Sequence, residues 1–190
     1  MQLSRRSALG LGAVGTVALV AAGSLRWFTH GYPPGAQVLL ALGDKEQAIV
    51  TSLVDALIDG GEGLPTADDA GVVQRIDEQL WGADVHTQSD LRAALQVVEH
   101  APILFGAPGR FTSLSRRRRV EVLRAMLASK RDVFVQVATA LKQLTMLCYY
   151  SAEASWGAIG YDGPWIKEEK LPPSTLRYRS LLAAKQRGEA

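Results

Sequence analysis

From Asp44 to Cys148 the apolar residues recur at spacings of three and four, and no stretch alternates apolar with polar residues between turn signals. That pattern admits helices and leaves little room for strands. The fold class read from it is all-α: a compact helical bundle, an irregular aromatic and glycine-rich segment toward the C-terminus, and a signal helix in front. Asp44 stands where it can cap a first helix carrying Ile49, Val50, Leu53, Val54, Leu57 and Ile58, which Gly60-Gly61 ends. Thr66 and Asp69 resemble a capping box ahead of a second helix with Val72, Val73, Ile76 and Leu80 on one face. A third helix is expected from about Ser89 to Ala101, with Leu91, Leu95 and Val98 inward and Pro102 as its stop. A fourth runs over 114–128 with Val120, Leu123 and Leu127 apolar. A fifth carries Phe134, Val137, Leu141, Leu144 and Cys148.

The first 26 residues are of another kind. Ser4-Arg5-Arg6-Ser7-Ala8-Leu9 is a twin-arginine pattern, followed by an uncharged apolar run to Gly23 and then Arg26. Arg5, Arg6 and Leu9 are the signal residues. The match is partial, because Ala8 stands for a larger apolar residue and Gly10 for a lysine. Ala21-Ala22-Gly23 offers small residues to a signal peptidase. The other reading is an uncleaved anchor: Ser7 to Leu25 spans 19 residues, just enough for a bilayer, with Trp27 and Phe28 suited to its interface. Residues 27–43, with Tyr32-Pro33-Pro34-Gly35, read as a linker, and 44–190 as a single helical domain. Either reading of the leader puts the domain outside the cytoplasm, in the periplasm or anchored at the membrane. The twin-arginine translocase moves proteins that have already folded.

Several chemistries can be weighed from residue types alone. Three of the 21 basic residues and none of the 19 acidic ones lie in the leader, leaving 18 against 19 and a net charge of −1. That balance gives no footprint for nucleic acid. A single cysteine, Cys148, excludes an internal disulfide, a Cys-x-x-Cys-His haem site and a cysteine-ligated cluster. Its apolar neighbours place it in the core, an intersubunit disulfide being the alternative. His30, His86 and His100 are too widely spaced for a metal set. The glycines from Gly10 to Gly15 fit G-x-G-x-x-G, but no strand precedes them and the first acidic residue is Asp44. Ser7, Ser113 and Ser151 lie in no nucleophile elbow, and Ser151 reads as a helix N-cap with Glu153 behind it. Arg116 to Arg119 read as a solvated helix start balanced by Glu121, with an acidic partner or lipid headgroups as the other reading. No catalytic, cofactor or metal residue emerges.

What remains is the segment 149–165. Five of the chain's 13 aromatic residues (Tyr149, Tyr150, Trp156, Tyr161, Trp165) fall within it, threaded through Gly157, Gly160, Gly163 and Pro164. Bare rings in water forfeit burial free energy, so such a cluster needs a packing partner, either the chain's own core or another protein. Gly160 and Gly163 can take positive φ, Asp162 can close a turn and Pro164 fixes the exit. The turn thereby presents Tyr161 and Trp165, while Tyr149, Tyr150 and Trp156 tie it to the bundle.

Tyr149-Tyr150-Ser151, then Trp156, then Ile159-Gly160-Tyr161-Asp162-Gly163-Pro164-Trp165, together with the twin-arginine leader, resemble the signature of the gluconate 2-dehydrogenase subunit 3 family. This is the small subunit of periplasmic flavoprotein dehydrogenases. Ser151 to Ser155 departs from it, since the family often has a bulkier His/Asp-Pro pattern there. The resemblance implies a non-catalytic subunit that binds a large subunit of the glucose-methanol-choline oxidoreductase (GMC) type, which holds FAD and oxidises a sugar or alcohol. It implies an escort role, since the large subunit often lacks its own signal. A multihaem cytochrome c subunit often takes the electrons onward. Tyr149, Tyr150, Trp156, Gly160, Tyr161, Asp162, Gly163, Pro164 and Trp165 are then the partner-binding residues. A stand-alone exported enzyme and a membrane-anchored adaptor without a redox partner are the alternatives.

Overall fold

Seven α-helices build the part of the chain that the computed structural model describes, residues 31–61, 63–164 and 171–189, and no strand occurs among them. Arg5, Arg6, Leu9, the leader glycines, the signal helix, His30 and Trp165 lie outside the described residues. The helices are α1 (Asp44–Leu57), α2 (Val72–Gly82), α3 (Val85–His100), α4 (Arg116–Leu127), α5 (Asp132–Tyr150), α6 (Glu153–Trp156) and α7 (Pro173–Gln186). Two 3-10 turns, Ala101–Phe105 and Phe111–Ser113, join α3 to α4, and a third, Gly157–Ile159, follows α6.

The longest helix is the axis of the bundle, because α5 packs against α1, α2, α3 and α4. Its inward face carries Phe134, Ala138, Leu141, Thr145 and Cys148, all buried. Thr145 is tolerated there because its hydroxyl donates to the Leu141 carbonyl at 2.8 Å, one turn back. Opposite stand Ile49, Val50, Leu53 and Val54 of α1, Val72, Val73, Ile76 and Leu80 of α2, and Leu95 and Val98 of α3, each no more than 5 % exposed. Burying each such side chain contributes roughly 1.5–3 kcal/mol, so this contiguous core carries the fold. Cys148 is 2 % exposed, out of reach of an intersubunit disulfide. Among the described residues no helix is long and apolar enough to cross a membrane.

The helices α1 and α3 start at caps other than the expected ones. Gly43, not Asp44, is the N-cap of α1, and the Asp44 carboxylate instead accepts from the Gly35 amide at 3.0 Å. Thr66 and Asp69 do exchange reciprocal bonds, with the Asp69 amide donating to the Thr66 hydroxyl and the Thr66 amide and hydroxyl to Asp69. That box closes a turn of its own; Gly71, at φ 59°, interrupts it and α2 starts at Val72. Asp84 caps α3 by accepting from the amides of His86 and Thr87, so the helix begins four residues before Ser89. The α-helix ends at His100, just ahead of Pro102 as expected, and the chain continues into the 3-10 turn Ala101–Phe105, in whose first positions a missing amide is tolerated. In α4 the buried residues are Val122, Leu123 and Met126, whereas Leu127 is 40 % exposed. The inward stripe is therefore rotated from the Val120–Leu123–Leu127 line. Helix α7 is absent from the periodicity reading altogether: its exposed leucines blur the stripe, and Tyr178 and Leu182 alone are buried from it.

Candidate functional site

The aromatic segment starts where α5 ends. Tyr149 is 3 % exposed, and its hydroxyl donates to the Pro65 carbonyl at 2.8 Å, tying the end of α5 to the loop before α2. Burial raises its phenol above the ordinary range, with Tyr150 adding to the effect. Ser151 is the C-cap of α5, its hydroxyl donating to the Cys148 carbonyl, and Ala152 occupies the N-cap position expected of it. Ala152 and Ser155 are buried, and the Ser155 hydroxyl donates back to the Tyr149 carbonyl at 2.8 Å. The small residues of 151–155 thus let the chain fold back on the end of α5.

A second closure follows six residues later. The Tyr161 amide donates to the Trp156 carbonyl at 2.9 Å and the Gly160 amide to the Gly157 carbonyl at 3.3 Å, with Gly160 at φ 67°. This is a Schellman motif, in which a left-handed glycine satisfies the last carbonyls of a helix. The chain then turns about the Trp156 indole. Tyr161 meets that ring edge-on at 5.4 Å and 82°, and buried Gly163, at φ 101°, lies so close that a Cβ there would sit 3.1 Å from the indole Cζ3. Only glycine meets both demands at 163. Trp156 is half-buried and holds the turn from inside.

The surface that results carries Tyr150 at 43 %, Ile159 at 48 % and Tyr161 at 41 % exposure, with Gly160, Asp162 and Pro164 also exposed. The structure therefore divides the candidate residues. Tyr149 and Gly163 are interior and shape the segment. Tyr150, expected to tie it to the bundle, is a surface ring packed edge-on against Tyr149 at 5.1 Å. One turn before Tyr150 on α5, Leu147 is 64 % exposed and was not anticipated.

The arginine run also divides. Arg116 donates to the Asp55 and Ile58 carbonyls, the unsatisfied end of α1, and pairs with Asp59 at 2.8 Å. Arg119 pairs with Asp55 at 2.9 Å and donates to the carbonyls of Phe111 and Thr112. These two, one turn apart, clamp α4 to α1 and complement its negative end. Arg117 and Arg118 face outward and share Glu121. The solvated, acid-balanced reading holds for Arg117 and Arg118 and for the 42 % exposed Arg116, whose acids lie on and just after α1, whereas Arg119, 15 % exposed, is covered.

Two buried carboxylates went unnoticed in the sequence. Asp77 accepts from the amides of Leu40, Ala41 and Leu42 at 2.7–2.9 Å and from the Tyr178 hydroxyl at 2.7 Å. Burial and this bond to Asp77 hold the Tyr178 phenol well above its usual range. Glu99 accepts from the Thr112 amide and hydroxyl and lies 3.9 Å from Arg110. The signal available for both was an acid on the apolar face of a predicted helix, Asp77 between Val73 and Leu80 at helical spacing and Glu99 one turn after Leu95. Both carboxylates accept from structural donors. Among the described residues no group of three or more His, Cys, Asp or Glu could hold a metal ion.

Helix order, an axial α5 and a locally locked aromatic turn after it define an all-helical domain with its distinctive residues on a surface turn. The chain belongs to the gluconate 2-dehydrogenase subunit 3 family, whose model matches residues 44–163, from the first residue of α1 to the buried glycine of the turn. Members are subunits of multisubunit dehydrogenase complexes. No curated protein and no solved structure matches the chain.

Proposed function

We propose that this chain is the non-catalytic small subunit of a periplasmic FAD-dependent sugar or alcohol dehydrogenase. It docks on a GMC-type flavoprotein through the surface of residues 150–164 and carries that partner, folded and loaded, through the twin-arginine pathway. The observation that carries this reading is the aromatic turn: Trp156, Gly160 and Gly163 hold Tyr161 partly exposed in one geometry. A rigid aromatic with a polar tip, ordered before it meets its partner, is the form a binding hot spot takes. The FAD, and a cytochrome c accepting its electrons, belong to other subunits in this reading.

Co-expression with the adjacent reading frame, purified through a tag on this chain, tests it. The expected result is a yellow complex with a flavin spectrum, and loss of both proteins from the periplasm when Arg5 and Arg6 are replaced by lysine. A colourless chain that turns over a sugar by itself, or normal export of the partner with the arginines replaced, overturns the proposal.

A further inference from the structure

Residues 39–42 run along the domain without helix, and their backbone is satisfied by side chains from three different helices. The amides of Leu40, Ala41 and Leu42 all donate to Asp77 of α2. The Leu39 carbonyl accepts from Lys185 of α7 at 2.6 Å, and the Ala41 carbonyl from Arg92 of α3 at 3.2 Å. Tyr178 of α7, fully buried, donates to the same Asp77 oxygen that receives the Leu40 amide. The strap and α7 thus share one buried carboxylate and touch directly through Lys185. Both lie outside the residues that the family model matches, whereas Asp77 lies inside them.

We propose that the strap and α7 form a single latch, in which docking of the C-terminal helix fixes the segment leading back to the N-terminus. If α7 lifts away, Asp77 loses the Tyr178 hydroxyl and Leu39 loses its cation. Water then reaches the carboxylate, and each strap bond weakens as the local dielectric rises. If the strap lifts away, Asp77 keeps one donor of four, and a buried carboxylate left so poorly satisfied is costly. Each end of the chain therefore stabilises the docking of the other. The state of α7 is passed to residues 39–42.

Amide hydrogen exchange on the full chain tests the latch. Tyr178→Phe removes one hydroxyl, and Lys185→Met removes the ammonium while keeping the stem. In each, the amides of Leu40, Ala41 and Leu42 are expected to exchange about ten-fold faster, the worth of one hydrogen bond to a charged group. The amides of α5 should keep their parent rates. Faster exchange in α7 with residues 40–42 unchanged means the two dock independently and overturns the latch. A uniform rise across all helices reports general loss of stability and overturns it as well.

Discussion

Trp156 does its work from a half-buried position, with Tyr161 against one edge and the Gly163 backbone against the ring. The two neighbours should respond differently to substitution. Gly163→Ala forces a Cβ into the indole and a side chain onto a backbone at φ 101°, so native stability should fall by about 1–3 kcal/mol in a denaturant melt. Tyr161→Ala removes a partly exposed ring, so the melt should move little, while affinity for the proposed flavoprotein partner falls about 30-fold, a hot-spot loss of about 2 kcal/mol. A Tyr161 variant that melts early yet binds normally would show the ring to be packing and not interface. The reason to expect separation is that the Schellman closure at Gly160 is made by backbone groups, which the tyrosine side chain does not supply.

At the scale of elements, charge decides how helices meet. The α1 C-terminus has no basic residue in its own last turn, and Arg116 and Arg119 of α4 take that place. Arg119→Ala breaks a pair that is 15 % exposed on the arginine side and removes a donor from the Thr112 and Phe111 carbonyls, of which Phe111 keeps the Leu114 amide. The expected cost is about 1.5–3 kcal/mol by thermal or denaturant unfolding, against a change within about 0.5 kcal/mol for Arg117→Ala, whose side chain is 90 % exposed. Equal effects would contradict the clamp. This contrast also marks what a sequence can tell. The apolar periods of α1, α2, α3 and α5 were legible because each helix buries one stripe against the others. The caps were not, because Asp44 and Asp84 look alike until the backbone shows which of them faces free amides. The pairing of Arg116 and Arg119 with Asp55 joins residues more than 60 positions apart, beyond any local pattern. In the site, the glycines and Trp156 announced a turn and Tyr149 its tie to the bundle, but which of the two adjacent tyrosines turns outward depends on where Pro65, 84 positions away, sits.

For the whole molecule, the core holds one ionisable sulfur. Burial pushes the Cys148 thiol from 9.0 up to about 11, with the nearby Arg75 pulling the other way. A raised folded-state value means the folded chain keeps its proton longer than the unfolded one, so this contribution to stability is complete below pH 9 and is lost as pH rises toward 11. Cys148→Ala should therefore flatten the alkaline arm of a stability–pH profile measured by urea unfolding between those values. The parent thiol should resist alkylation at pH 8 until the domain is unfolded. Rapid labelling of the native chain would contradict the burial.

The aromatic turn and the latch differ in how far along the chain their bonds reach. The bonds that close the turn join residues at most six apart, such as Ser155 to Tyr149. In the latch, the strap's bonds to Asp77 join residues 35 to 37 apart, and the two that α7 makes join residues 101 and 146 apart. Loop-closure entropy rises with separation and short-range contacts form first, so the two devices belong to opposite ends of the folding sequence. On the ribosome, the turn can form once residue 163 has emerged, whereas Lys185 reaches Leu39 only after nearly the whole chain has been made. The aromatic turn can therefore close while α7 is still unmade, and the fastening of the N-terminal strap to α7 is among the last steps of the domain.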